Sequence, residues 1–222
     1  MAYFADRVDA GKRLAEALAD FHGKNAVVLA IPRGGVVVGF EIATALGLPL
    51  DVIVPRKLGA PGNPELAIGA IAEDGSTILD DNLITYLGVY NEYIKEESER
   101  QLAEITRRIQ VYREGAPSID IKGKEVIVVD DGIATGSTMK ATLVSVKTRG
   151  AKNATIAVPV GPPQTIQELK RQTNRVVCLY MPESFQAVGQ FYEDFNQTSD
   201  QEVIKLLRLC KEGLGTNSEG RL

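Results

Sequence analysis

The stretch Val126-Ile127-Val128-Val129-Asp130-Asp131-Gly132-Ile133-Ala134-Thr135-Gly136-Ser137-Thr138 decides how the rest of the chain is read. Four β-branched apolar residues in succession describe a strand buried on both faces, the habit of a parallel sheet. Two acids stand where that strand must end. A short loop of Gly, Thr and Ser follows, and then a helix-forming run from Met139 to Arg149. Strand, small polar loop and helix in that order build an anion pocket, because loop amides and the helix N-terminus converge on one spot. Thr135, Ser137 and Thr138 add hydroxyl donors, and the paired carboxylates are suited to accept hydrogen bonds from vicinal hydroxyls. An anion beside a diol describes a sugar phosphate of the ribose 5-phosphate kind. An ordinary strand-to-helix turn can also be rich in glycine, but adjacent acids followed by Thr-Gly-Ser-Thr are far rarer. The loop is not a nucleotide P-loop, since no Lys follows its second Gly in the G-K-[ST] arrangement.

Composition narrows the class. The chain has 222 residues, 44% of them hydrophobic, enough for one domain with a substantial core. A net charge of −4 and a pI near 5.2 predict no basic face for nucleic acid. The two cysteines, Cys178 in an apolar strand and Cys210 in the terminal helix, suggest neither a disulfide framework nor a zinc site. No apolar run approaches the ~20 residues of a membrane span. The start Ala2-Tyr3-Phe4-Ala5-Asp6 lacks the pattern of a signal peptide, so the expected location is the cytoplasm.

Working outward, strands and helices alternate. Asp6 can cap a first helix reaching about Asp20. Ala26–Ile31 is a buried strand, followed by the loop Pro32-Arg33-Gly34-Gly35 and a helix from Val36 to Leu46 that Gly47 closes. Leu50–Val54 is the next strand, and Arg56 to Pro64 reads as a loop rich in Pro and Gly. Residues 66–72 and 76–79 pair as a hairpin about Glu73-Asp74-Gly75. A charged helix then spans Asn91 to Glu114, with Ile94, Leu102, Ile105 and Ile109 on its apolar side. The sheet resumes at 125–130, 154–158 and 175–180, and a last helix runs from about Asp200 to Leu209. The prediction is a single α/β domain with a doubly wound, mainly parallel five-stranded sheet, an 82–114 helical insertion, a cap over 182–199 and a mobile tail over 213–222. Ligands of such sheets sit beyond the strand C-termini.

Two further segments fall at those strand ends. In Pro32-Arg33-Gly34-Gly35 the glycines allow an anion to approach the backbone, and Arg33 adds a fixed forked charge. Val54-Pro55-Arg56-Lys57 sends two cations out of the next strand. Each alone reads equally as surface charge on a turn. Together they place three cations near Asp130 and Asp131, which is the electrostatic setting a diphosphate requires.

In order, Pro32-Arg33-Gly34-Gly35, Arg56-Lys57 and Val129-Asp130-Asp131-Gly132-Ile133-Ala134-Thr135-Gly136-Ser137-Thr138-Met139 resemble the type I phosphoribosyltransferases, most closely the adenine and xanthine enzymes. The resemblance covers about residues 25–160. It implies binding of 5-phosphoribosyl 1-diphosphate (PRPP) and transfer of its ribose 5-phosphate to a nitrogenous base, a purine-like one being favoured, with release of diphosphate. By resemblance, Arg33, Gly34, Gly35, Arg56 and Lys57 serve the diphosphate, and Asp130 and Asp131 the ribose hydroxyls. Ala134, Thr135, Gly136, Ser137 and Thr138 then hold the 5-phosphate, and Gly132 and Ile133 belong to the same PRPP-binding loop. Asp130, Asp131, Arg56 and Lys57 are the catalytic candidates. The family also implies a lid, here Leu58 to about Ala72, whose Gly59-Ala60-Pro61-Gly62-Asn63-Pro64 has a lid's composition. Mg²⁺ suits the chemistry as a hard cation bridging diphosphate and ribose oxygens, with Asp130 and Asp131 as hydroxyl or outer-shell partners. A homodimer without nucleic-acid or membrane partners completes the expectation.

The segment Pro182-Glu183-Ser184-Phe185-Gln186-Ala187-Val188-Gly189-Gln190-Phe191-Tyr192-Glu193-Asp194-Phe195 is similar to the base-binding hood of hypoxanthine phosphoribosyltransferases. Phe185 is its candidate base-stacking residue, with packing on the core as the alternative for some of these rings. Two departures bear on the base. Ala134 stands where the hypoxanthine enzymes carry an acid, and Val158-Pro159-Val160-Gly161-Pro162 lacks their Lys. Catalysis in this family is mainly positioning and charge stabilisation of an oxocarbenium-like transition state. Glu65 and Glu73 flank the lid as candidates for a general base, whereas His22, the sole histidine, is expected at the surface. Two other classes compete. A non-catalytic PRPP sensor fits the same pocket, although ~25 residues ahead of the first strand are too few for a winged helix. A Rossmann oxidoreductase would need G-x-G-x-x-G after its first strand, and none is present.

Overall fold

The computed structural model describes residues 3–219, with side-chain surroundings described as far as residue 213. A five-stranded, wholly parallel sheet forms the centre. Its strands are β1 (Ala26–Ala30), β2 (Leu50–Val52), β6 (Glu125–Val129), β7 (Asn153–Val160) and β8 (Arg175–Tyr180), in the order β2-β1-β6-β7-β8. The remaining three strands, β3 (Arg56–Ala60), β4 (Asn63–Ile71) and β5 (Thr77–Leu79), make a separate antiparallel sheet.

Alternate residues of each central strand serve different layers, as the two-residue strand period requires. Val28, Ala30, Val52, Ile127 and Val129 face a core shared with α1 (Arg7–Ala17), α2 (Gly34–Leu46), α4 (Asn91–Arg113) and α7 (Asp200–Glu219). Val27, Leu29, Ile53, Val126 and Val128 face the opposite core with α5 (Ser137–Thr148) and α6 (Pro163–Lys170), whose Met139, Leu143, Val146, Ile166 and Leu169 are buried there. The all-apolar run of β6 is thus explained by burial on both faces.

This strand order fixes the site. From β1 the chain moves outward to β2, and from β6 it moves the other way to β7 and β8. The reversal lies between β1 and β6, and a crevice opens outside their C-terminal ends. Both Pro32-Arg33-Gly34-Gly35 and Asp130-Asp131 emerge there, and Ile31 N–H bonds Val129 O at 2.8 Å just before the strands part.

The structure corrects four sequence-based expectations. The Arg56–Pro64 loop, and with it the loop-like lid over 58–72, is a β-hairpin made by β3 and β4 around Gly62, which has φ 74°. Leu58, Ala60, Ile68 and Ala70 are buried, so the hairpin has a core face despite its Pro and Gly content. Gly59 is required by contact, because a Cβ there would lie 2.7 Å from Pro64 Cα. The first helix stops at Ala17 and gives way to a 3-10 turn at Ala19–Phe21. The expected 82–114 insertion is helical, with the long helix α4 where the pattern placed it, and the correction is an added short helix, α3 (Asp81–Leu87), ahead of it, separated by Gly88 at φ 62°. The last helix continues beyond Leu209 to Glu219, so 213–219 of the expected tail are helical, and 220–222 lie outside the described residues.

Candidate functional site

Two helices begin at the crevice, and neither N-terminus is closed by a side chain. Arg33 precedes α2 and Gly136, in a left-handed conformation at φ 77°, precedes α5, and no side-chain cap bond is made at either. Their first-turn amides are therefore available to an anion, with the helix dipoles reinforcing the attraction. Beside Gly136, Thr135 Oγ1 lies 3.4 Å from Ser137 Oγ. Thr165 Oγ1 donates to Ala134 O at 2.9 Å and Ile133 N–H to Val160 O at 2.9 Å, which tie the loop to α6 and β7.

The acids lie between these helix ends. Asp130 Oδ1 accepts the Asp131 backbone N–H at 2.9 Å, and Asp131 Oδ2 accepts Arg7 Nε at 2.8 Å. Burial, and next the charge of Asp131, hold the Asp130 carboxyl well above the usual carboxylate range, with Arg7 pulling the other way. The glycine loop passes directly over the acids. A Cβ on Gly34 would fall 1.9 Å from Asp131 Oδ2, and one on Gly35 would fall 2.9 Å from Asp130 Cα. The sequence-predicted Gly34, Gly35, Asp130 and Asp131 are therefore one constellation.

The cations are placed less simply. Arg33 is exposed and lies 3.8 Å from Asp200 of α7. Arg56 donates through Nε to Gln101 Oε1 of α4 at 2.8 Å, and burial, followed by repulsion from Arg108, lowers its pKa. Gln101 in turn donates to the buried Glu97 at 2.8 Å, which also pairs with Arg100. Lys57 is exposed and makes no ion pair among the described residues. Helix α4, which the sequence left without a role, thus packs along β3 and engages Arg56. It reaches the Arg33 side as well: Tyr112 Oη donates to Asp200 Oδ1 at 2.9 Å, and burial plus that bond push the phenol up to about 12.

Of the two general-base candidates, Glu65 is exposed on β4. Glu73 is committed elsewhere: it pairs with Arg149 at 2.6 Å and Arg113 at 3.5 Å, while Arg113 also bonds Asp51 at 2.9 Å. Burial raises the Glu73 pKa against the pull of the two arginines. This network joins β2, α4 and the ends of β4 and α5, and among the described residues its ion pairs and hydrogen bonds do not extend to Asp130 or Asp131. Glu73 is therefore a structural ion-pair residue and not a candidate base.

The 182–199 segment rests on the signature loop. A Cβ on Gly132 would meet Val188 Cγ1 at 2.4 Å, and Tyr192 Oη donates to Asp131 O at 2.6 Å. Phe185 is half-buried with its ring 5.3 Å from that of Phe191, in a cluster containing Phe4, Val160 and Tyr192. Arg7, Tyr192, Asp200 and Gln101 carry no local motif. Their partners are distant in sequence, 124 positions away for Arg7–Asp131, so only the folded arrangement reveals the pairings.

The model of the phosphoribosyl transferase domain matches residues 5–196, from before α1 into the 182–199 segment. The chain belongs to the phosphoribosyl transferase family. A relative in Mycobacterium tuberculosis, named only provisionally as a phosphoribosyl transferase, is 45% identical over 207 residues, which are 93% of this chain and 47% of that protein. A uracil phosphoribosyltransferase of Nicotiana tabacum is 33% identical over 136 residues, 60% of this chain and 55% of its own length. The chain thus spans about half the length of the curated relatives it matches. Among solved structures, the protein TT1426 of Thermus thermophilus is 43% identical with a TM-score of 0.79, covering 93% of this chain and 98% of that one. The phosphoribosyl transferase fold accordingly accounts for both the parallel sheet and the crevice at its reversal point.

Proposed function

We propose that this phosphoribosyl transferase binds PRPP in the crevice between β1 and β6 and transfers its ribose 5-phosphate to a nitrogenous base, releasing diphosphate. One observation carries the reading: the carboxylates of Asp130 and Asp131 lie beneath the Gly34-Gly35 backbone, between two helix N-termini that no side chain caps. In this arrangement the α5 N-terminus with Gly132, Ile133, Ala134, Thr135, Gly136, Ser137 and Thr138 holds the 5-phosphate. Asp130 and Asp131 accept the ribose hydroxyls. The Gly34-Gly35 amides, with Arg33, Arg56 and Lys57, receive the diphosphate. Arg33 and Arg56 are held by Asp200 and Gln101, so they serve the diphosphate by reorienting from those partners.

The residues present suit Mg²⁺. Among the described residues no group of three or more His, Cys, Asp or Glu side chains could hold a metal ion. Two adjacent carboxylates without a protein cage are nevertheless the usual support for this ion when substrate oxygens and water complete its shell. Asp130 and Asp131 would hold it through hydroxyls or water, and it would supply charge neutralisation of the leaving diphosphate. The chain's own residues orient the sugar, exclude water beneath the hood and receive the developing negative charge.

Phe185 stacks on the acceptor base in this reading, and a purine-like base is favoured. The reading also takes the protein as cytoplasmic and homodimeric, without nucleic-acid or membrane partners. No helix among the described residues is long and apolar enough to cross a membrane. The test is diphosphate release from PRPP and Mg²⁺ with a panel of purines and pyrimidines that includes uracil. Release with one base class and not with buffer alone is expected. Binding of PRPP without release for any base would make the protein a PRPP sensor instead.

A further inference from the structure

Arg7 opens α1 and has no place in the signature motifs, yet its guanidinium is shared among three partners at the crevice. Its side chain is only 12% exposed. Nε donates to Asp131 Oδ2 at 2.8 Å and Nη1 donates to Asn196 O at 2.8 Å. The guanidinium carbon lies 3.8 Å from the centre of the Phe195 ring, a stacking distance. A Cβ on Gly34 would come within 2.7 Å of Arg7 Nε, so the glycine loop covers the ion pair from above. Four segments far apart in sequence therefore meet on one planar cation: the α1 start, the β1–α2 loop, the acid pair and the distal end of the hood.

The arrangement has a directional logic. A guanidinium donates in a fixed plane, so serving Asp131 and the Asn196 carbonyl together sets the plane of the Asp131 carboxylate. One Asp131 oxygen is committed to Arg7, which fixes how the carboxyl is presented beside Asp130. Two adjacent carboxylates would otherwise repel each other, and a positive charge on one of them lets both stay in the pocket.

We infer that Arg7 is a positioning residue for the sugar site: it fixes the Asp131 carboxylate for the ribose hydroxyls and anchors the Phe195–Asn196 end of the hood to the same point. The inference rests on the PRPP reading and adds to it a residue from outside the signature motifs.

The experiment is a double-mutant cycle on PRPP binding with Mg²⁺, read by calorimetry on the full chain. Arg7→Gln should weaken PRPP roughly tenfold or more, the scale of one charge-assisted hydrogen bond. Arg7→Lys keeps the charge and loses the plane, so it should recover most of that loss and remain about threefold weaker than the parent. In an Asp131→Asn background, Arg7→Gln should cost less than about twofold, because its route to the ligand has gone. A residue that merely stabilises the fold would show the same loss in both backgrounds and follow the melting temperature. Should Arg7→Gln fail to fold, the Arg7→Lys comparison in the two backgrounds carries the same expectation. Undiminished affinity in folded Arg7→Gln, or an equal loss with and without Asp131→Asn, overturns the inference while the PRPP reading stands. A parent protein that does not bind PRPP overturns both.

Discussion

Gly34 lies so close to the Arg7–Asp131 pair that a methyl group there would sit 1.9 Å from Asp131 Oδ2. Gly34→Ala must push the loop away or break the pair. It should cost about 1–3 kcal/mol in denaturant unfolding and weaken PRPP binding as well. Asp130 makes the opposite prediction for the ligand-free protein. Its carboxyl is raised by burial and by Asp131, so the folded state holds the proton more tightly than the unfolded chain. The stability it contributes is fully present below the ordinary value of about 4 and is lost as pH rises from there through the folded value. At neutral pH, Asp130→Asn should therefore stabilise the free protein while abolishing its affinity for PRPP. Unfolding curves at pH 5 and pH 8 check the sign, since the gain should be larger at the higher pH. These acids and glycines were legible in the sequence because a strand end, two acids and a small polar loop are contiguous. Arg7 was not, because its partner is 124 positions away and no local rule links a helix start to a distant carboxylate.

At the scale of elements, the buried pairs around Glu73 hold the antiparallel sheet to the central one. Removing Glu73 leaves the partly buried Arg149 without its carboxylate and Arg113 with Asp51 alone, so Glu73→Ala should lose about 3–5 kcal/mol of stability in denaturant unfolding. The turnover of the fraction that stays folded should be close to normal, since Glu73 does not reach the acids. Tyr112→Phe keeps the ring in the core and removes the bond to Asp200, for a smaller loss of about 1 kcal/mol. The central strands were readable from composition because burial on both faces demands uninterrupted apolar residues. The β3–β4 hairpin was not. Its Gly59 and Gly62 are demanded by a close contact and a left-handed turn, and with Pro61 and Pro64 they imitate a loop. Helix α4 was legible as a helix, but its partner was not. Its engagement with Arg56 through Gln101 uses a neutral amide that no charge pattern singles out.

At the scale of the whole molecule, the sheet order places the β1 and β6 strand ends, two helix N-termini and the 182–199 segment around one crevice. The hood's part can be separated from the core's. Phe185→Ala should leave the melting temperature nearly unchanged and raise the acceptor KM if the ring stacks on the base, a contact typically worth ~1–3 kcal/mol. A loss of about 3–5 kcal/mol in stability with normal acceptor kinetics would make Phe185 a packing residue of the Phe191 cluster instead. Beneath all of this lies the claim that the acid pair and the loop after it form a PRPP site. The measurement that tests it most directly is calorimetric titration of PRPP with Mg²⁺ into the parent protein and into the Asp130→Asn, Asp131→Asn double variant. The parent should show saturable one-site binding, and a double variant whose melting shows it folded should show none. Equal affinity in the two proteins would contradict the claim.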